Sequence, residues 1–326
     1  MFKQAIRPRG RGLGRYVQLG ARLGLLTGVL GLVAGAVLTR LSASRAERTY
    51  PPLGETVEVD GLVQHYLERG EGAPVVFVHG AYGGLQDFAA TILSEASKRY
   101  RCVLWDRPGH GYSERPGGAV DPGIQAQWLL KLVDRLGLER PLLVGFSYGG
   151  AVCLSAALDA PDRIRGVVLL NGPSHPWPDP LDLVYRISGW PVVGWLMSEA
   201  VVAPLAEWQG GHAIERAFDP LPVAGAFKAS PIALSLRPAN YRANTQDVRL
   251  LKPLLRDQVQ RYADLSVPVT ALVSTGDLVV SPILHVPRLV EASPLCEQIL
   301  LEGAGHQVLY THPERVLAVI ERALAR

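Results

Sequence analysis

A serine between two glycines is the clearest chemical signal in this chain. The pentapeptide GFSYG at 145–149 directly follows a buried apolar run and opens a helix. A hydroxyl on such a sharp strand-to-helix turn is placed to attack a carbonyl carbon, and the crowded positions two before and two after it favour glycine. The pattern predicts that Ser147 is the nucleophile of an acyl-transfer reaction. The competing interpretation is a glycine-rich turn that happens to hold a serine.

A serine hydroxyl needs a base to remove its proton, and that base needs an acid to orient it. Among eight histidines, His306 lies in a GAGH loop after the predicted strand CEQILL. This is the carboxyl edge of the sheet, where Ser147 also emerges. The nearest alternative is His312, but its position before Pro313 is typical of the start of a helix. Asp277 follows the predicted strand PVTALVS, while the other suitable position, after VVLLN, holds Asn171 instead of an acid. We therefore predict Ser147, Asp277 and His306 as the catalytic residues, in the chain order expected for this architecture.

Hydrolysis of an acyl group also needs hydrogen-bond donors for the negative oxygen that develops. The segment HGAYG at 79–83 leaves the predicted strand PVVFV, where its amides are free to point toward the serine. We predict the backbone N–H groups of Ala81 and Tyr148 as the two donors of this oxyanion hole. His79 is expected to orient the loop by hydrogen bonding and not to act in catalysis.

Aromatic side chains supply the candidate substrate contacts. Tyr82 and Phe146 neighbour the predicted oxyanion loop and nucleophile, and Trp177, Trp190 and Trp195 occur in a later segment. These rings predict a substrate with an apolar acyl or alcohol part. The alternative is that the tryptophans only pack their segment onto the sheet.

Alternating strand and helix patterns must position these residues. Two short alternating runs, TVEVD and LVQHYLE, meet at Asp60-Gly61, which predicts a hairpin. Continuous apolar runs, typical of strands buried on both faces, then alternate with helical segments. The predicted strands cover 74–78, 101–105, 141–146, 165–171, 268–274 and 296–301, and the predicted helices cover 85–98, 122–137, 148–159, 283–292 and 313–324. The order predicts an α/β fold with a mostly parallel eight-stranded sheet and helices on both faces.

The alternation stops between Gly172 and about Leu265, where no buried strand is predicted. Helical segments are expected near 181–209 and 245–262. Because long structureless loops are rare in compact domains, this segment predicts a helical cap inserted after the sixth strand.

The N-terminal segment contains an uncharged run from Leu23 to Thr39. At about 1.5 Å per residue it is near the lower limit for crossing a bilayer. The basic residues before it are Lys3, Arg7, Arg9, Arg11, Arg15 and Arg22, and those after it are Arg40, Arg45 and Arg48. The positive-inside rule therefore predicts a membrane anchor with a cytoplasmic N-terminus and an extracytoplasmic, periplasmic catalytic domain.

Two alternatives to the anchor remain open. A signal segment cleaved near the small residues at 42–44 would give a secreted protein. A helix lying flat on the membrane is the other, although leucine and valine surround the run instead of forming one face. After the run, the segment SASRAERTYPP is expected to be a polar linker.

Composition excludes several classes of protein. Hydrophobic residues make up 48% and charged residues 19% of the chain, which is typical of a globular protein. The net charge is only +3 and no basic stripe interleaved with aromatics occurs after the N-terminus, so nucleic acid is not an expected partner. The three cysteines are predicted to be core residues, and no spacing typical of a metal site occurs.

These motifs together resemble the α/β-hydrolase superfamily over about residues 53–326. The family's HGxxG corresponds to 79–83, its D-x-P-G-x-G-x-S to 106–113 and its G-x-S-x-G to 145–149, and its acid and histidine motifs end at Asp277 and His306. The resemblance implies the α/β-hydrolase fold with a cap, and a reaction without a cofactor. Relatives that open epoxides or remove halogens use an aspartate nucleophile, so Ser147 argues against those activities.

We therefore expect a serine hydrolase that cleaves a small-molecule carboxylic ester through an acyl-enzyme. C–C bond hydrolysis of a diketone and perhydrolysis would use the same triad, and a non-catalytic membrane-tethered binding protein is the alternative from another class. The expected division is an N-terminal segment at 1–50, a hydrolase core at 51–173 and 266–326, and a cap at 174–265.

Overall fold

Eight strands form one sheet in the computed structural model, which describes residues 11–118, 120–209, 211–230 and 232–326. The strands are β1 (Glu55–Val59), β2 (Leu62–Arg69), β3 (Pro74–Val78), β4 (Arg101–Trp105), β5 (Leu142–Phe146), β6 (Gly166–Leu170), β7 (Val269–Ser274) and β8 (Cys296–Leu301). Their order is β1-β2-β4-β3-β5-β6-β7-β8, with antiparallel pairing for β1–β2 and β2–β4 and parallel pairing for the rest. The predicted mostly parallel eight-stranded sheet is confirmed.

The hairpin between β1 and β2 turns at Asp60 and Gly61, whose φ angles are 46° and 78°. Both residues therefore adopt the left-handed region that a tight hairpin turn requires, as the Asp-Gly pair predicts.

The helices connect and cover these strands. They are α1 (Arg11–Thr49), α2 (Leu85–Thr91), α3 (Leu93–Ala96), α4 (Pro122–Arg135), α5 (Tyr148–Asp159), α6 (Leu183–Ile187), α7 (Pro191–Leu196), α8 (Val202–Gln209), α9 (Gly211–Phe218), α10 (Ile232–Ser235), α11 (Pro238–Gln258), α12 (Val286–Ala292), α13 (Val308–Thr311) and α14 (Pro313–Leu324). Short 3₁₀ turns cover Pro161–Arg163, Gly225–Ala229 and Val259–Asp264, and a π-helical turn at Met197–Val201 joins α7 to α8.

Apolar residues pack on both faces of the sheet. Leu129 of α4, Val152 of α5 and Leu289 of α12 belong to the cluster on one face. Phe88 of α2 and Ile320 of α14 belong to the cluster on the other face. Burial on both faces explains why the central strands are continuous apolar runs in the sequence.

The segment between β6 and β7 contains α6 to α11, and no strand is found in its described residues. The predicted helix at 181–209 is divided into α6, α7, the π-helical turn and α8, and the predicted helix at 245–262 begins earlier, at Pro238. Residues 174–265 are the proposed cap.

Most of the segment that was expected to be a polar linker is helical, because α1 continues without a break to Thr49. Small residues on one side of its second half are packed against the cap: Thr39 and Ala46 are buried, and a Cβ added at Gly35 would overlap the carbonyl of Ala200. The expectation of a linker at 42–52 was therefore wrong over its helical part, which ends at Thr49. Tertiary packing stabilises a helix there despite the polar sequence.

The first half of α1 has its described side chains exposed up to residue 34. Within α1, the part Gln18–Thr49 contains an 18-residue window with a mean hydropathy of 1.9 and is long and apolar enough to cross a membrane, a property that signal segments share. The basic residues Lys3, Arg7 and Arg9, on which the predicted orientation partly depends, lie outside the described residues.

Candidate active site

Ser147 lies on a strained turn between β5 and α5. Its φ and ψ are 50° and −124°, a conformation that L-residues rarely adopt. A Cβ on Gly145 would come within 2.5 Å of the Gly149 carbonyl oxygen, and a Cβ on Gly149 would overlap the backbone of β3. Glycine is therefore required on both sides of the serine, and the turn directs the hydroxyl toward the carboxyl edge of the sheet.

The structure brings the three predicted catalytic side chains together. His306 Nε2 is 3.0 Å from Ser147 Oγ, and His306 Nδ1 is 2.7 Å from Asp277 Oδ2. The other oxygen of Asp277 accepts hydrogen bonds from the amides of Val279 and Val280, at 2.7 and 2.8 Å. Because the carboxylate holds the proton on Nδ1, Nε2 is left unprotonated to receive the serine proton.

Asn171, which replaces an acid after β6, holds the histidine loop in place. Its Nδ2 donates to the backbone oxygen of His306 at 3.0 Å and to Ser274 Oγ at 3.0 Å, and its Oδ1 accepts from the Ser274 amide at 2.8 Å. Its φ of 48° turns the chain at the end of β6. Sequence reasoning used Asn171 only to eliminate a rival acid and missed this role; the available signal was an amide side chain at the carboxyl end of a strand between the two catalytic loops.

The predicted oxyanion donors face the same region. Within the described ranges, neither the Ala81 nor the Tyr148 amide donates to a protein acceptor. Gly80 lies so close to the nucleophile that a Cβ there would be 2.9 Å from Ser147 Cβ. The next residue, Tyr82, has a φ of 55°, and its amide donates to Asn244 Oδ1 of α11 at 2.7 Å. The cap thus fixes one side of the oxyanion loop.

His79 orients this loop, as the sequence predicts. Its Nε2 accepts from the Arg107 amide at 3.1 Å, so Nδ1 carries the proton and donates to the Gly80 oxygen at 2.8 Å. Burial, reinforced by the charge of Arg107, lowers the pKa of His79 well below its ordinary value. A neutral ring is required for this pair of hydrogen bonds.

A buried ion pair, which sequence reasoning missed, ties the cap to the oxyanion loop. Arg107 Nη1 is 2.6 Å from Asp247 Oδ2 of α11, and both side chains are fully buried. The same guanidinium donates to the carbonyl oxygens of His79 and Gly80, at 2.9 and 3.1 Å. It also lies over the ring of Tyr148, 4.4 Å from its centroid. Arg107 therefore contacts both segments that carry the predicted oxyanion amides. The available signal was an arginine inside the D-x-P-G turn.

Of the predicted substrate contacts, Phe146 lies beside the triad and Tyr82 lies in the predicted oxyanion loop. The Phe146 ring is 5.2 Å from the His306 ring, between centroids. Tyr82 is half-buried next to Ala81, and burial together with the neighbouring Tyr185 phenol of α6 raises its pKa well above its ordinary value.

Among the described residues, no ring contact or hydrogen bond joins the three predicted tryptophans to the triad. Trp177 is half-buried against the apolar cluster beneath α4 and α5, with Lys252 Nζ 5.5 Å from its ring centroid. Trp190 and Trp195 lie on the outer surface of the cap and are 62% and 56% exposed. Both rings line a cleft of the cap, and their contact with substrate stays a prediction.

The three thiols are buried and unpaired. Burial raises the pKa of Cys102 to about 12 and that of Cys296 to about 11, and it also raises the pKa of Cys153. Thiols held in their neutral form are poor nucleophiles, so the serine is the better nucleophile of this chain. No cluster of His, Cys, Asp and Glu suited to a metal ion is found in the part of the chain that the structure describes.

Comparison with known proteins agrees with this fold. Residues 73–313 match the family model described as alpha/beta hydrolase fold, so the chain belongs to the α/β-hydrolase fold family. A solved α/β hydrolase fold protein from Burkholderia ambifaria is similar with a TM-score of 0.69 and 22% identity, over 82% of this chain and 97% of that one.

Two curated relatives are similar over part of their length. A 2-hydroxy-6-oxo-2,4-heptadienoate hydrolase from Pseudomonas putida is 36% identical over 140 residues, which are 41% of this chain and 50% of the relative. A 2-hydroxymuconate semialdehyde hydrolase from a Pseudomonas species is 31% identical over 145 residues, which are 43% of this chain and 51% of the relative. The matched region thus spans about half the length of these relatives.

Proposed function

We propose that this chain is a serine hydrolase that cleaves carboxylic esters. The observation that carries the proposal is the continuous set of hydrogen bonds from Asp277 through His306 to Ser147, at 2.7 and 3.0 Å, next to two unpaired amides. A base positioned on a strained serine is the arrangement used for acyl transfer.

In the first half of the reaction, Ser147 Oγ attacks the ester carbonyl while His306 Nε2 takes its proton. The carbonyl oxygen becomes negative and accepts hydrogen bonds from the Ala81 and Tyr148 amides, each of which contributes on the order of 3 kcal/mol to the transition state. The protonated ring then gives its proton to the departing alcohol, which leaves an acyl group on Ser147.

In the second half, the same ring removes a proton from water, and the resulting hydroxide attacks the acyl group. The amides of Ala81 and Tyr148 stabilise the second tetrahedral intermediate as they do the first. Collapse of this intermediate releases the acid and returns the proton from His306 to Ser147.

Hydrolysis of p-nitrophenyl esters by the full chain tests this proposal. We expect Ser147→Ala to lower kcat by about 10⁴-fold or more, because nothing else in the site forms the acyl bond. Ser155→Ala is the matched control, since Ser155 is a buried serine of α5, the helix that follows Ser147, and its hydroxyl only donates to the Ala151 carbonyl. Equal rates for the wild type and Ser147→Ala would refute the mechanism.

C–C bond hydrolysis is the second candidate function. The similarity to the 2-hydroxy-6-oxo-2,4-heptadienoate hydrolase favours it, although it covers only half of that protein. A panel that contains p-nitrophenyl esters and a 2-hydroxy-6-oxo-dienoate separates the two. A kcat/KM for the dienoate that exceeds those for all esters would replace ester cleavage with C–C cleavage while keeping the triad.

We also propose that α1 anchors the chain in a membrane with its N-terminus in the cytoplasm. The proposal is supported by the hydropathy of α1 and by the basic residues before the apolar run. A reporter active only outside the cytoplasm, fused to the C-terminus, tests it. A membrane-bound active fusion agrees with the anchor, an active fusion released into the periplasm indicates a cleaved signal, and an inactive fusion contradicts the orientation.

A further inference from the structure

One face of the cap exposes several large apolar side chains to solvent. Its exposed apolar residues, with their exposed fractions, are Leu183 (65%), Val184 (40%), Trp190 (62%), Val192 (71%) and Trp195 (56%). They lie on α6, on α7 and between them. A contiguous set of large apolar side chains on a surface is typical of a contact with another molecule or with a membrane.

This face lies near the contact between the cap and α1 that is nearest to the N-terminus of the chain. Helix α7, the π-helical turn and α8 form one helical run, and Ala200 in that run packs on Gly35 of α1. Arg40 of α1 forms an ion pair with Glu199 at 2.9 Å. Before Gly35, α1 continues alone, and an added Cβ at Gly28 or Gly31 would meet nothing within 4 Å. The run 191–209 therefore lies where the unaccompanied apolar part of α1 begins.

Positive charges lie among the exposed tryptophans. A cleft of about 320 Å³ is lined by Trp190 and Trp195 together with Arg242 and Arg249. Arg186 lines the adjoining cleft beside Trp190. No ion pair involves Arg186 or Arg249 among the described residues, whereas Arg242 pairs with Glu199 at 2.8 Å. Tryptophan favours the headgroup level of a bilayer, and arginine there attracts anionic lipids.

We propose that this face of the cap lies in the headgroup region of an anionic lipid bilayer, on the same membrane that α1 spans. Helix α1 would then hold the cap against the membrane as one rigid unit and not as a loose tether. The ester of the proposed reaction would be a membrane-dissolved one that reaches the cap from the lipid. The docking itself rests on α1 as the anchor, and only its consequence for substrate rests on the proposed hydrolysis.

Fluorescent probes on single introduced cysteines test the docking. The full chain is reconstituted in vesicles of phosphatidylcholine and phosphatidylglycerol in equal parts, which contain a lipid with a nitroxide near its headgroup. An environment-sensitive probe is attached to Val192→Cys on the cap, to Ile283→Cys as control and to Leu30→Cys in α1. The side chains of Val192 and Ile283 are 71% and 83% exposed, so probes at both positions are accessible to solvent and a difference in quenching reports on their location. The native thiols are buried and react slowly.

We expect the nitroxide lipid to quench the probe at 192 several-fold more than the probe at 283, and to quench the probe at 30 as well. Replacing phosphatidylglycerol by phosphatidylcholine should reduce quenching at 192 and leave quenching at 30 unchanged. Quenching at 30 with none at 192 would overturn the docking while the anchor stands. Absence of quenching at both would overturn the docking and the anchor together. Equal quenching at 192 with and without phosphatidylglycerol would overturn the proposed preference of the cap for anionic lipids.

This measurement requires no turnover. A failure of the docking is therefore distinguishable from a failure of ester hydrolysis, which the Ser147→Ala comparison tests separately.

Discussion

The position of His306 depends on Asn171 as well as on Asp277. The Asn171 amide connects β6 to the backbone of both catalytic loops, through Ser274 and through the His306 carbonyl. All of these groups are buried, so each needs its hydrogen-bond partner. The side chain donates to the His306 carbonyl and forms no hydrogen bond with Ser147, so we expect it to act on the proposed reaction through His306.

Asn171→Ala is expected to lower kcat by about 10- to 100-fold with a smaller change in KM, because the imidazole loses a fixed orientation while the substrate contacts remain. The free energy of unfolding should fall by about 1–3 kcal/mol, since buried backbone groups lose their partner. Steady-state kinetics and urea unfolding measure the two effects. A variant that is destabilised but keeps the wild-type kcat would assign Asn171 to stability alone.

His285 provides a second prediction at the level of single residues. Its Nδ1 accepts from the amides of Ser174 and His175, at 3.3 and 3.2 Å. Burial, with a contribution from His175, lowers the pKa of His285 to about 4. Between pH 6.5 and 4 the unfolded chain therefore binds a proton at this residue and the folded chain does not.

The free energy of unfolding should consequently fall as the pH decreases through this window, by about 3 kcal/mol from His285. Urea unfolding at pH 7 and at pH 4.5 measures the loss. His285→Asn is the informative variant, because an amide oxygen accepts the same hydrogen bonds but takes up no proton. The variant should lose less stability than the wild type over the same interval, and equal losses would contradict the assignment to His285.

At the level of elements, the sheet and its helices were predictable because apolar residues recur along the sequence at the spacings typical of buried strands and helices. Strands β3 and β4 and helices α5 and α14 have the predicted bounds, since apolar runs, the G-x-S-x-G turn and the Pro313 helix start mark them locally. The second half of α1 was not predictable. Its polar residues are helical only because Gly35, Thr39 and Ala46 pack on the cap, which is a contact between distant parts of the chain.

The site residues that sequence analysis predicted have a local pattern, whereas those it missed depend on contacts between distant parts of the chain. Ser147, Asp277 and His306 each follow a strand that has a clear local pattern. Asp247 lies in the middle of a cap helix, and only the folded chain shows that it pairs with Arg107 across the cap–core boundary. The tryptophans were assigned to substrate from composition alone, and their role as substrate contacts stays a prediction.

Asp247→Ala tests this cap–core connection. The substitution leaves the fully buried Arg107 without its carboxylate, and we expect the free energy of unfolding to fall by about 3–5 kcal/mol. Asp159→Ala is the control, because its partially exposed pair with Arg261 is worth about 1 kcal/mol or less. Chemical unfolding of both variants provides the comparison, and similar losses would show that the buried pair adds no more than a surface one.

On the scale of the whole molecule, α1 belongs partly to the folded domain. Its second half fills a surface formed by Ala200 and Ala203 of the cap, and Glu47 pairs with Arg237 at 3.1 Å. Its first half contacts no described part of the domain. The domain and the apolar segment that is proposed to cross the membrane therefore share one continuous helix.

Two truncations separate these halves. Deletion of residues 1–34 should give a soluble domain with nearly the full melting temperature, because the packed half of α1 is kept. Deletion of residues 1–50 exposes the surface of Ala200 and Ala203, and we expect Tm to fall further, by roughly 5 °C or more. Thermal unfolding of the two proteins measures the difference. Identical melting temperatures would show that the second half of α1 contributes nothing to the domain.

The central claim is that His306 activates Ser147 for attack on an acyl group. Labelling of the full chain with a fluorophosphonate, followed by mass spectrometry of the tryptic peptides, tests it most directly. We predict a single adduct on Ser147 in the wild type, and a labelling rate in His306→Gln that is at least about 100-fold lower because the general base is lost. An unlabelled Ser147 in the folded wild type, or wild-type labelling of Ser147 in His306→Gln, would contradict it.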